Sequence, residues 1–149
     1  MDTAIKLAAD NVDNEGGPFG AVIVKDNEII ARGTNRVTST NDPTAHAEVQ
    51  AIREACSKLK TFDLSGCEIY TSCEPCPMCF SAIYWAHIDK VYYAADHEDA
   101  ANAGFDDAFI YNEIKCDRED RSVPFVRLNS EKGSLPFDKW DKMTKKIKY

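Results

Sequence analysis

No stretch of this chain approaches the ~20 consecutive apolar residues that a membrane-spanning helix requires, which excludes a helical membrane protein. Positive charge is scarce: 18 Lys and Arg stand against 25 Asp and Glu, a net charge of −7. Nucleic acid is usually held by a basic face, because counterion release drives that binding, so a small-molecule partner is expected instead. The one basic cluster, Lys139, Lys142, Lys145, Lys146 and Lys148, reads as the solvated face and basic end of a last helix. The opening "MDTAIKLAADNV" lacks the basic start and apolar centre of a secretion signal, which points to the cytoplasm. Cysteines are expected to be reduced there. Solenoid repeats and low-complexity linkers are missing too. A chain of 149 residues then suits one domain that buries most of its apolar surface.

What is present is an alternation of short elements. Residues 3–13 carry Ala4, Ile5, Ala8 and Val12 at helical spacing. After "EGGPFG", two strands are predicted, Ala21 to Lys25 and Glu28 to Gly33, joined in a hairpin at Asp26-Asn27. A helix over 46–59 places Val49, Ile52, Cys56 and Leu59 on one face, and "CEIYT" is a strand. A helix from Pro77 to about His87 and a strand "KVYYAA" come next. A loop with a short helix ("AGFDDAFIYNEI") leads to a strand around Val123 to Leu128 and a final helix from about Pro136. Helices alternating with strands predict an α/β fold, a three-layer α/β/α sandwich, and the hairpin makes its one sheet mixed.

The chemistry concentrates in "TSCEPCPMCF", where Cys73, Cys76 and Cys79 recur every third residue. An iron–sulfur site would need a fourth cysteine nearby followed by proline, and Cys116 is followed by Asp117. A structural zinc site of Cys73, Cys76, Cys79 and His46 remains numerically possible. Pro77 fits the first turn of a helix, which makes Cys76 its cap and lets Cys79 meet it on one side. The free N–H groups and dipole at that terminus stabilise thiolates. Cys73 ends the preceding strand and reads as a small buried residue, as do Cys56 and Cys67. His46 and Glu48 lie two apart, on nearly opposite sides of a regular helix, unless His46 is only half inside it. Taken alone, that stretch reads equally as a capped surface helix.

Together, His46-Ala47-Glu48 and Pro75-Cys76-Pro77-Met78-Cys79 match the H-x-E…P-C-x-x-C signature of zinc nucleobase deaminases. The chain resembles the cytidine deaminase-like superfamily over almost its whole length. That resemblance implies one Zn2+ per chain on His46, Cys76 and Cys79, with a fourth position left for water. It also implies Glu48 as the proton shuttle and not a ligand. Within the superfamily, "GGPFGAVIV", "CPMCFSAIYWA" and "AGFDDAFIYNEI" are similar to the guanine deaminase pattern, which implies conversion of guanine to xanthine and ammonia.

The resemblance further implies Asp107 as a carboxylate that meets the purine, where the neighbouring Asp106 is easily confused with it. Both aspartates read equally well as openers of the helix "AFIYNEI". Phe19, Asn35, Ala47, Trp85 and Tyr149 are candidate substrate contacts; Phe19 and Trp85 read equally as core, and Asn35 as a turn residue. A homodimer is implied, with residues from about 129 to 149 covering the active site, from the same chain or swapped from the partner. The first helix looks short for the family. Two alternatives stay open: an adenosine deaminase acting on transfer RNA, and a zinc module without catalysis.

Overall fold

The computed structural model describes residues 1–148, so Tyr149 lies outside the described residues. Two compact units make up the chain, Met1–Tyr111 and a second from Asn112 onwards. The first holds α1 (Asp2–Asp13), β1 (Gly20–Lys25), β2 (Glu28–Thr34), α2 (Val37–Thr40) and α3 (Ala47–Leu59). It continues with β3 (Cys67–Cys73), α4 (Pro77–Trp85), β4 (Lys90–Ala95), α5 (His97–Asn102) and the start of α6 (Ala108–Lys115).

The four strands form one sheet in the order β2-β1-β3-β4. β1 pairs antiparallel with both β2 and β3, and β3 pairs parallel with β4, so the sheet is mixed. The parallel pair needs a crossover, which α4 supplies. The hairpin turns at Asp26 (φ 50°) and Asn27 (φ 63°), the left-handed pair that a two-residue turn demands and that Asp and Asn tolerate. The three layers arise from strand alternation. Gly20 faces α1, where a Cβ would meet the backbone of Ala4 and Ala8. Gly33 faces the other way, onto the backbone of Ala47 and Ala51 in α3.

The main core lies on the α3 side, where Ala21, Ile23, Ala31 and Ile69 from the sheet meet Ala47, Ala51 and Ala55. Ile83 and Ala86 extend it beneath α4. Three alanines at one-turn spacing let α3 approach the sheet closely. The larger face expected from the sequence is displaced: Ile52, Cys56 and Leu59 only flank this stripe, partly buried. Side-chain size explains the difference, since the closest line of a helix on a sheet admits only small residues.

In the second unit, the strand expected at Val123 to Leu128 does not form, and those residues have no regular structure. Pro124 lacks a ladder donor, and Val126 and Leu128 are 77% and 84% exposed. The final helix, α7, is Leu135–Asp141, so Lys142, Lys145, Lys146 and Lys148 fall beyond its end rather than on its face. No helix among the described residues is long and apolar enough to cross a membrane.

Candidate active site

The starts of two helices converge. His46 is the N-cap of α3 with extended backbone (φ −70°, ψ 155°), so it stands outside the regular helix. That placement removes the obstacle of two-residue spacing, and Glu48 turns inward behind it. Cys76 is the N-cap of α4 with Pro77 at the first helical position, and Cys79 follows within the first turn. The Nδ1 of His46 lies 3.5 Å from the sulfur of Cys76 and 3.5 Å from that of Cys79. All three ligand atoms fall within 4.8 Å of one another, and no other such group occurs among the described residues.

Electrostatics suit a cation. Hydrogen bonding to Cys79 and His46 and the helix start hold the Cys76 thiol down at about 4, so one thiolate is present at neutral pH. The same hydrogen bond raises Cys79, with burial adding to it, because its proton is shared with that thiolate. Cys76 raises His46 against the effect of burial. One imidazole and two sulfurs form a donor set of the kind that could hold one zinc ion. Cys73 differs: it is nearly buried, and burial pushes its thiol up to about 11. Its sulfur donates to the carbonyl of Asp96 at 3.5 Å, so it packs rather than ligates.

Among the described residues Glu48 is the one buried carboxylate, 7% exposed, and burial raises its pKa above the ordinary value. It borders a cavity of about 630 Å³ together with His46 and Cys76. Phe19, Asn35 and Asp107 line the same cavity. The ring of Phe19 packs edge-on against Phe105, with centroids 5.0 Å apart. Asn35 is held at both ends: its backbone carbonyl accepts from the Asn11 amide at 2.9 Å, and its Oδ1 accepts from the Val37 N–H at 3.2 Å. The amide nitrogen is the end left to donate.

The two aspartates divide their work. Asp106 accepts from the Ala108 N–H at 2.9 Å and so opens α6. Asp107 instead lies 3.6 Å from the Nδ1 of His97. Burial raises the Asp107 carboxyl while His97 pulls it down.

Two expected contacts are not brought to the cavity. Ala47 belongs to the core beneath α3 and is 1% exposed, so only its backbone remains to meet a ligand. Trp85 is 64% exposed at the end of α4 and does not line the cavity. Six residues past Cys79, at about 3.6 per turn, are about one and two-thirds turns, which places it on a different face of the helix from Cys79. Glu74, His97 and Phe105 line the cavity without having been foreseen. The sequence held one signal for His97: Asp96 and Asp99 are spaced as a capping pair, and the structure confirms the box.

Comparison with known proteins agrees with this geometry. The family model for the cytidine and deoxycytidylate deaminase zinc-binding region matches residues 1–95. Guanine deaminase of Bacillus subtilis is 55% identical over 150 aligned residues, covering 100% of this chain and 96% of that one. The solved structure of guanine deaminase from Bacillus subtilis matches with a TM-score of 0.97 at 54% identity, covering 99% of this chain and 95% of the other. A solved guanine deaminase from Nitrosomonas europaea gives 0.68 at 38% identity, covering 72% and 63%. A tRNA-specific adenosine deaminase of Aquifex aeolicus is 51% identical over 78 residues, covering 52% of each chain.

Proposed function

This chain belongs to the family of the cytidine and deoxycytidylate deaminase zinc-binding region, and on that premise we propose that it hydrolyses guanine to xanthine and ammonia. The observation that carries the reading is the cavity itself: His46, Cys76 and Glu48 line it together with Asn35 and Asp107, and Cys79 clusters with His46 and Cys76. We assign His46, Cys76 and Cys79 as the zinc ligands and Glu48 as the proton shuttle. Those three residues would hold a zinc ion, which would supply Lewis acidity able to bring the pKa of a water from ~16 towards ~7.

Glu48 takes a proton from the water that adds to C2 and delivers it to ring N3. It then delivers the second proton to the 2-amino group, which departs as ammonia and leaves the C2 carbonyl of xanthine. A buried carboxylate with a raised pKa suits both roles, since it must hold a proton as readily as accept one. The Asn35 amide nitrogen donates to the O6 or N7 edge, Asp107 accepts from N1–H, and Phe19 packs against the ring. An N1–H acceptor prefers guanine, because adenine has no hydrogen there.

Coverage favours this reading over action on transfer RNA. Similarity to the Bacillus subtilis guanine deaminase runs through the entire chain, whereas the Aquifex aeolicus enzyme matches about half of it. The net charge of −7 also suits a free base better than a polyanion. The cytoplasm is its proposed compartment, consistent with six free cysteines. A homodimer is proposed as well, with residues from about 129 to 149, Tyr149 included, covering the site; sedimentation at micromolar concentration reads the assembly.

The deciding experiment is ammonia release from guanine, guanosine, adenine, cytosine and cytidine. Turnover of guanine well above the other four is expected. Preference for another base overturns the substrate, and zinc-loaded protein with no turnover on any substrate returns the non-catalytic module.

A further inference from the structure

His97 occupies a position that the reaction as written does not use. It is the first residue of α5, whose start is fixed by a capping box. Asp96 accepts from the N–H groups of Glu98 and Asp99 at 2.9 and 3.0 Å, and the Asp99 carboxylate accepts from the Asp96 N–H at 3.1 Å. The end of β4 is tied to the zinc loop as well, since the Glu74 N–H donates to the Ala95 carbonyl at 2.9 Å. From this anchored start the imidazole reaches between two carboxylates of the cavity wall. Its Nε2 lies 3.2 Å from Glu74 and its Nδ1 3.6 Å from Asp107. Tyr111 closes the third side edge-on, with centroids 5.3 Å apart, and its hydroxyl donates to the Pro75 carbonyl at 3.4 Å. One carboxylate thus lies beside each ring nitrogen.

We infer that His97 is a positioning residue for base specificity: it bridges the zinc loop at Glu74 to Asp107 and so aims the carboxylate that reads the purine N1–H. The inference rests on the proposed role of Asp107. The loop that carries Asp107 is held through its backbone and through Phe105: the Phe105 N–H donates to the Ala100 carbonyl and the Ile110 N–H to the Asp107 carbonyl, each at 2.9 Å, and Phe105 packs on Phe19. The loop follows Gly104 in the left-handed region (φ 91°), and the Asp106 cap fixes its backbone but not the neighbouring carboxylate. Without His97, Asp107 keeps its place in the chain and loses the partner that sets its direction.

The test uses His97→Ala and the milder His97→Gln in the full-length zinc-loaded protein, with zinc content and a melting curve confirming folding. Each is measured with guanine as substrate and 2-aminopurine as inhibitor of guanine turnover. 2-Aminopurine keeps the ring and the 2-amino group but has neither O6 nor an N1–H. For His97→Ala, kcat/KM for guanine should fall tenfold or more while Ki for 2-aminopurine changes less than threefold. His97→Gln should recover part of the loss. Combining His97→Ala with Asp107→Ala should cost no more than Asp107→Ala alone. Equal losses for the two purines, or additive losses in the double variant, overturn the inference while Asp107→Ala still discriminates between them. If Asp107→Ala itself turns over guanine like the parent, the reading of Asp107 falls and the inference with it.

Discussion

A single methyl group at Gly33 tests whether the packing of α3 sets the geometry of the site. A Cβ built there lies 2.0 Å from the carbonyl oxygen of Ala47 and 2.6 Å from the nitrogen of Ala51, and ordinary contact begins at 3.4 Å. The shortfall, 3.4 minus 2.0, requires α3 to retreat by about 1.4 Å. Both obstructing atoms are helix backbone, so no side chain can rotate out of the way. Overpacking of this kind costs about 1–3 kcal/mol, and a backbone clash belongs at the upper end. At about 2–4 °C per kcal/mol for a chain of this size, Gly33→Ala should melt about 6–12 °C below the parent.

The retreating segment carries Ala47, with the proposed ligand His46 before it and Glu48 after it. Displacing a catalytic group by ~1 Å can cost about 10²-fold in rate, so turnover should fall far more than the folded fraction does. Gly20→Ala is the control. Its Cβ lies 2.4 Å from Ala4 O and 2.7 Å from Ala8 N, in α1 on the opposite face. A comparable stability loss is expected there, but with zinc content intact and a smaller loss of turnover. The assay pairs a thermal melt with zinc stoichiometry and single-substrate kinetics. A Gly33→Ala protein melting within 2 °C of the parent, or equal turnover losses in the two variants, refutes the packing argument.

Replacing Glu48 by Gln should reduce turnover by about 10²–10⁴-fold and leave one zinc bound per chain; lost zinc would mark Glu48 as a ligand. In metal-free protein the same variant has a pH signature. Burial raises Glu48 above 4.5, so at pH values just above that the folded chain keeps a proton the unfolded chain has lost. The parent should therefore lose stability relative to Glu48→Gln as pH rises through that window, and urea melts at pH 5 and pH 8 showing the reverse trend refute it. Cys73→Ser should retain its zinc. With the Cys73 thiol raised to about 11 and Cys76 held at about 4, iodoacetamide at pH 8 should label Cys76 of the metal-free protein long before Cys73. Equal labelling, mapped by mass spectrometry, contradicts the assigned environments.

Much of the site was legible because its defining constraints are local. Pro77 after Cys76 announces a helix start, and a helix start brings Cys79 beside Cys76 whatever the rest of the chain does. The Asp26-Asn27 turn is local in the same way, since left-handed backbone at two successive residues is a property of those residues. Partnership was harder to read. The run from Val123 to Leu128 has the composition of a strand, but a strand exists only against an edge that accepts it, and Pro124 spoils its own ladder. α5 was missed for the opposite reason: "HEDAAN" has no apolar periodicity, so only the capping pair of Asp96 and Asp99 marks it. With α5 unread, His97 had no position, and without a position its two carboxylate neighbours could not be named. The two residues that a ligand-spacing argument could not rank, Asp106 and Asp107, are separated by one hydrogen bond and one contact with an imidazole. Asp106 uses its carboxylate to open a helix, and Asp107 turns its own toward the cavity wall. The proposed metal ligands are thus written in short-range spacing, whereas the base discrimination proposed for Asp107 depends on contacts among Glu74, His97 and Asp107 that exist only once the fold has brought the end of β3, α5 and the loop before α6 together.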